Sequence, residues 1–140
     1  MPLHADWDNP EKTIVLWRIE GRWTMLEFLD HNLKVEAMMD EVDHPVAILI
    51  DVSGTIHAPP DFRKNLKELS GIRHRNGMGD MWVVGLRGPL RIVAELYSAI
   101  YGDQGQLHLY HDLDTARESI REAQAALARH KDRSITTKDS

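Results

Sequence analysis

The sequence contains no cysteine, which excludes disulfides, zinc–thiolate centres and thiol catalysis whatever the fold. It has no basic excess: the formal net charge is −5 with the histidines neutral. A broad nucleic-acid surface needs a basic face, so composition speaks against that class of partner. No apolar run approaches the roughly 20 residues of a membrane span. The opening MPLHADWDNP has neither a basic n-region nor an apolar h-region, so a signal peptide is not expected and a cytoplasmic location is. No internal repeat is visible.

What is present fits one globular domain. The 140 residues are 42% hydrophobic and 28% charged, ordinary values for such a fold. Residues 3–7 read as an edge strand, Asn9-Pro10-Glu11-Lys12 as a turn with proline at its second position, and residues 13–19 as a strand ended by Gly21. Thr24-Met25-Leu26-Glu27 has the capping-box spacing and opens a helix that runs to about Glu41. Leu26, Leu29, Leu33 and Ala37 make an apolar stripe at helical spacing, expected to face the core. Val46 to Ile50 is a short continuous apolar run with β-branched residues, the pattern of a strand buried on both faces. It stops at Asp51, and a loop carries Ser53-Gly54-Thr55 and Pro59-Pro60.

A second helix follows, with Asp61 in its first turn, Phe62, Leu66 and Leu69 inward, and Arg63, Lys64 and Lys67 toward water. Residues 71–80 read as a basic loop and residues 81–86 as a strand. Arg87-Gly88-Pro89 turns into a third helix whose inner side is Val93, Leu96, Tyr97 and Ile100. Residues 106–110 form a last strand. Asp112 or Asp114 caps a final helix with Ala116, Ile120, Ala123 and Leu127 inward. The polar stretch over residues 131–140 has nothing to bury and is expected to be disordered, leaving a domain over residues 1–130. Strands alternating with helices imply an α/β fold with crossovers and a mostly parallel sheet, made mixed by an N-terminal antiparallel hairpin.

In such a sheet, ligands and partners meet the carboxyl ends of the strands. Function is therefore sought first at Asp51-Val52-Ser53-Gly54-Thr55 and the loop beyond. An apolar strand ending in Asp-x-Asp-Gly-Thr is the nucleophile motif of haloacid-dehalogenase phosphatases, and this stretch resembles it. Ser53 stands where that motif needs its second aspartate and cannot do its proton transfer at neutral pH. No downstream acidic pair follows to hold magnesium. The alternative role for Asp51 is to shape the turn after the strand. Ser53, His57 and Asp61 do not make a nucleophile elbow, which needs glycine on both sides of the serine. The histidines, including His74, His108 and His111, lack the helical pairing of a zinc site. No metal, cofactor or catalytic residue is therefore expected. Arg87, Gly88 and Arg91, beside a helix start, form an anion-friendly corner, to be weighed against ordinary solvation of exposed arginines.

The whole pattern resembles a STAS domain of the SpoIIAA-like, or STAS/SEC14-type, branch. Its carriers are Ile14-Val15-Leu16-Trp17-Arg18-Ile19-Glu20-Gly21, the central Ile48-Leu49-Ile50-Asp51-Val52-Ser53-Gly54, Trp82-Val83-Val84-Gly85, and Leu113-Asp114-Thr115-Ala116-Arg117-Glu118-Ser119-Ile120. The resemblance covers residues 5–127. The resemblance implies a non-catalytic regulatory module like the anti-sigma-factor antagonists, with a protein partner such as an anti-sigma factor or kinase; a homodimer is compatible with it. Phosphorylated members carry an acceptor serine before the helix that follows the central strand. Pro59-Pro60-Asp61-Phe62 stands there and offers no hydroxyl, and Ser53 matches an earlier position. The expected partner surface comprises Ser53, Thr55, His57, Pro59, Pro60, Asp61, Arg63, Lys64 and Lys67, the three basic residues favouring an acidic partner. The SEC14 likeness implies an alternative: a small apolar or lipid-like ligand held between the sheet and the helices.

Overall fold

A computed structural model of the chain describes residues 3–57, 77–86 and 107–139. Its elements are β1 (Leu3–Trp7), β2 (Ile14–Arg22), α1 (Met25–Asp40), β3 (Val46–His57), β4 (Gly77–Val84), β5 (Leu107–Tyr110) and α2 (Leu113–Asp139). The five strands form one sheet in the order of the sequence. β1 runs antiparallel to β2, with Leu3 opposite Ile19 and Trp7 opposite Val15. The β2–β3, β3–β4 and β4–β5 pairs are parallel. The mixed, mostly parallel α/β sheet with an N-terminal hairpin is therefore what the element order implied. The helices expected after Pro59-Pro60 and after Pro89 lie outside the described residues.

The hairpin closes as a four-residue turn. Lys12 N donates to Asn9 O at 3.2 Å, Thr13 N donates to Asn9 Oδ1 at 2.9 Å, and Lys12 sits at φ 58°. An asparagine side chain that mimics a backbone acceptor lets such a turn fold without help from elsewhere.

Side chains alternate across the strands, so the sheet has two faces. One carries Leu3, Ala5, Val15, Trp17, Ile19, Val46, Ile50 and Val83 against Phe28, Val35 and Met39 of α1. The other carries Ile14, Ala47, Leu49, Trp82 and Val84 against Ala116 and Ile120 of α2. β3 is buried on both, with Val46, Ala47 and Leu49 at 0% exposure, as its continuous apolar run requires.

α2 is strapped to the sheet by polar contacts as well as by packing. Arg117 donates to both Asp8 oxygens at 2.8 Å, a two-point ion pair to the hairpin. Gln124 Nε2 donates to Thr13 O at 2.9 Å. Ser119 Oγ accepts from Trp82 Nε1 at 3.2 Å and from the Tyr110 hydroxyl at 2.6 Å, which joins the helix to β4 and β5. Of the two cap candidates, Asp112 is the cap: its carboxylate accepts from Thr115 N at 2.8 Å. The Thr115 backbone and side-chain bonds hold that carboxyl below the ordinary carboxylate range.

Four local expectations are corrected. β3 does not stop at Asp51 but continues to His57. Gly21, at φ 64°, lies inside β2 at an irregularity in pairing and does not end it. Residues 77–80, read as loop, begin β4, with Gly77 paired to Val46. Helical backbone continues over residues 131–139, where disorder was expected; neither glycine nor proline interrupts the chain from Leu113 to Asp139.

α1 supplies a fifth. Its capping box is present: Glu27 N donates to Thr24 Oγ1 at 3.1 Å and Thr24 N to Glu27 Oε1 at 3.2 Å. Its buried stripe, however, is Phe28, His31, Asn32, Val35 and Met39. Leu26 and Leu33, assigned to the core from their spacing, are 74% and 63% exposed, and Ala37 is exposed with them.

Candidate functional site

Of the residues expected to carry function, Asp51, Ser53, Thr55 and His57 lie in β3, from its middle to its carboxyl end. Asp51 still follows the apolar run, but it does not end the strand. Its Oδ1 accepts from Ser53 N at 3.0 Å and from the Ser53 hydroxyl, the carboxylate-to-backbone closure typical of a local turn. Beyond this kink the strand resumes, pairing Gly54 with Glu20, Thr55 with Gly21 and His57 with Arg22. Thr55 Oγ1 donates to Ile19 O at 3.1 Å, so that hydroxyl braces the irregular stretch of β2.

Two glycines permit the geometry. A Cβ on Gly54 would stand 3.1 Å from Glu20 Cγ. Gly85 lies at φ 87°, and a Cβ there would be 2.6 Å from Ser53 Cβ and 2.8 Å from Ser53 N. Backbone therefore packs on backbone where β4 ends against the Asp51–Ser53 kink, and only glycine fits.

Of the residues assigned to a partner surface, Ser53 is exposed and Thr55 half-buried. Both lie in a strand, not in a loop. His57 ends β3. Pro59, Pro60, Asp61, Arg63, Lys64 and Lys67 lie outside the described residues, as do Arg87, Gly88 and Arg91 of the anion-friendly corner. Among the described residues, no group of three or more histidine, aspartate or glutamate side chains could hold a metal ion. His108 instead bonds Asp80 at 3.0 Å and stacks on Trp82 with ring centroids 5.1 Å apart.

Sequence reasoning missed a neighbouring feature. On the face of the sheet that α2 covers elsewhere, His4, Asp6, Leu16, Arg18 and Glu20 line an open depression of about 520 Å³. Arg18 sits in register between His4 of β1 and Asp51 of β3. The signal was the alternation itself: polar residues at 4 and 6, and again at 18 and 20, mark a stretch of sheet face left to water.

The opposite face holds an aromatic cluster under α1. Trp17 stacks on Phe28 at 4.6 Å and on His31 at 5.8 Å, and Phe28 meets Trp23 at 5.6 Å. Trp17 Nε1 and His31 Nδ1 are buried without a hydrogen-bond partner. Burial pushes the His31 pKa below its ordinary 6.5, and the charges of Lys34 and His4 push the same way.

No helix among the described residues is long and apolar enough to cross a membrane. No protein-family model matches the sequence, and no curated protein does. Among solved structures, the chain is similar to a protein of the DUF3478 family with a SpoIIAA-like fold, from Shewanella loihica PV-4. The likeness has a TM-score of 0.58 at 10% identity and covers 83% of this chain and 90% of that one. The chain thus has a SpoIIAA-like α/β fold, with the antiparallel hairpin and parallel strands described above.

Proposed function

We propose that the chain is a non-catalytic regulatory module that binds a protein partner, in the manner of anti-sigma-factor antagonists but without the phosphoacceptor serine. The observation that carries this reading is how the polar groups at the carboxyl end of β3 are employed. The Asp51 carboxylate closes on Ser53, and the Thr55 hydroxyl bonds Ile19 O. They shape a partly exposed end of the central strand and are not aimed at a common point where a substrate atom could sit. An anti-sigma factor or kinase is the partner class that the fold resemblance brings. The test uses a partner isolated from the native source and purified, then mixed with this chain carrying Asp51→Asn. A complex of unchanged affinity, with no magnesium-dependent phosphate release from phosphomonoesters by the wild type, is expected. Turnover by the wild type that disappears in Asp51→Asn would replace this reading with a haloacid-dehalogenase-like one.

A second reading, a small apolar or lipid-like ligand between the sheet and α1, draws on the orphaned Trp17 Nε1 and His31 Nδ1. A bound molecule with a polar end would satisfy groups that otherwise cost about 1–3 kcal/mol each to leave unpaired. Native mass spectrometry separates the two. A small mass retained by the wild type favours the ligand binder; the bare chain favours the interaction module.

A further inference from the structure

α1 carries two apolar stripes, and the sheet uses one. Phe28, Val35 and Met39 face the core. Leu26 and Leu33 point away from it, 74% and 63% exposed, and are the exposed large hydrophobics among the described residues. Exposed Ala37 continues the stripe and half-buried Leu29 borders it. The spacing 26, 29, 33, 37 is that of anchor residues on one helix face, and Leu26 and Leu33 lie about 10 Å apart along the axis.

The border of the stripe is acidic. At about 100° per residue, Glu36, which accepts from Asn32 at 3.1 Å, and Asp40 flank it on one side and Asp30 on the other; Glu41 at the helix end is paired with Lys12 at 3.5 Å. Lys34 is the one basic residue of the helix, and the last turn has none. This charge pattern selects among occupants. A second copy of α1 laid across the first would set acidic borders against acidic borders. Helices that lie on lipid carry lysine and arginine at their borders, because anionic headgroups repel acid.

We infer that the Leu26–Leu33 face of α1 docks a basic amphipathic helix of another protein, with apolar residues at i, i+3 or i+4 and i+7 and lysine or arginine beside them. The inference rests on the interaction-module reading but places this contact on α1, away from the carboxyl end of β3. Leucines from the partner fill the steps between Leu26, Leu33 and Ala37, while its cations meet Asp30 and Glu36. Apolar burial supplies affinity, and the charges supply orientation and rate.

The test titrates the full chain with a synthetic amphipathic helical peptide of about 18 residues, leucine on one face and lysine elsewhere. A twin peptide with glutamate for lysine is run beside it. The leucine–lysine peptide is expected to bind, the glutamate twin to bind at least tenfold more weakly, and Leu26→Ser with Leu33→Ser to weaken binding at least tenfold at unchanged thermal melting. Asp30→Lys, which leaves the stripe intact, is expected to weaken it several-fold and to flatten its salt dependence. Equal binding by the double serine variant, or by both peptides, overturns the inference. So does a wild-type dimer in sedimentation that the serine variant disperses, which assigns the face to a second copy. So does phosphatidylcholine-vesicle binding lost in that variant, which assigns it to lipid. None of these overturning results touches the interaction-module reading, which stands or falls with the Asp51→Asn experiment.

Discussion

The two helices obey the same periodicity rule, yet the rule identifies the inner face of one and misplaces that of the other. From Leu113 to His130, α2 offers its large apolar residues only at Leu113, Ile120 and Leu127, seven apart and on one side. Ala116 and Ile120 are accordingly at 0% exposure. α1 has apolar residues on two sides: Leu26, Leu33 and Ala37 make one stripe, Phe28, Val35 and Met39 another. Periodicity cannot rank two stripes of the same period. What ranks them is size and shape against the sheet. Phe28 brings an aromatic ring that stacks on Trp17 at 4.6 Å, and stacked aromatics add about 0.5–1.5 kcal/mol beyond the area they bury.

The largest test of that contrast is Ile120→Ala, which empties a site at 0% exposure in α2. It should cost about 2–5 kcal/mol in urea unfolding. Ile50→Ala, at 4% exposure on the α1 face of β3, should fall in the same range of about 2–5 kcal/mol. If either midpoint barely moves, the two-faced burial of the sheet is wrong.

Next comes Thr24→Ala. It removes the side-chain acceptor of the α1 capping box and should cost about 0.5–2 kcal/mol. α2 is capped by Asp112 through Thr115, so Asp112→Ala should likewise lower the urea midpoint. A null result at Thr24 alone, read by urea melts of both variants, would mean that α1 is held by its packing and not by its cap.

How much of this was legible follows from which interactions are local. The hairpin turn, the Thr24 cap and the doubly buried run of β3 are encoded within a few residues of themselves, and the structure has all three where the sequence places them. The continuation of β3 is not local. Ser53, Gly54 and Thr55 read as turn residues because each favours one in isolation. Pairing of Gly54 with Glu20, Thr55 with Gly21 and His57 with Arg22, all more than thirty residues earlier in the chain, carries the strand on past Ser53. The glycine-rich start of β4 is misread for the same reason. The candidate site suffers most: Asp51 as the residue that shapes the turn was readable from its type, but the bracing of Thr55 against Ile19 O and the fit of Gly85 on Ser53 depend on three strands meeting.

A smaller effect separates the helices by pH. His31 of α1 is buried, its Nδ1 lacks a partner, and its pKa lies below the ordinary 6.5. The unfolded chain therefore takes up a proton near pH 6.5 that the folded chain refuses, so the unfolded state binds more protons as pH falls below that value. The contribution of neutral His31 is complete above that pH and is lost on acidification. Lys34 on α1 and His4 on β1, the charges that act on it, steepen the loss, because each opposes a second positive charge. Thermal melts from pH 8 to pH 5 should show the wild type losing stability faster than His31→Phe. Parallel curves would mean that His31 is protonated without strain.

The smallest expected effect is the sharpest test of which stripe faces outward. Leu33→Ala changes a side chain 63% exposed. It leaves no cavity, and alanine is the better helix former. Its effect should stay within about 0.5 kcal/mol, the range of surface substitutions. Val35→Ala, two positions along the same helix but at 1% exposure, should cost clearly more, because a buried branched side chain leaves a void. The pair shares a helix, a cap and a turn, so propensity and end effects nearly cancel in the difference. Equal urea midpoints for the two variants would erase the distinction between the stripes and remove the exposed face on which docking at Leu26 and Leu33 depends. A shifted Val35→Ala midpoint beside an unmoved Leu33→Ala midpoint would leave that face free to serve a partner at no cost to the fold.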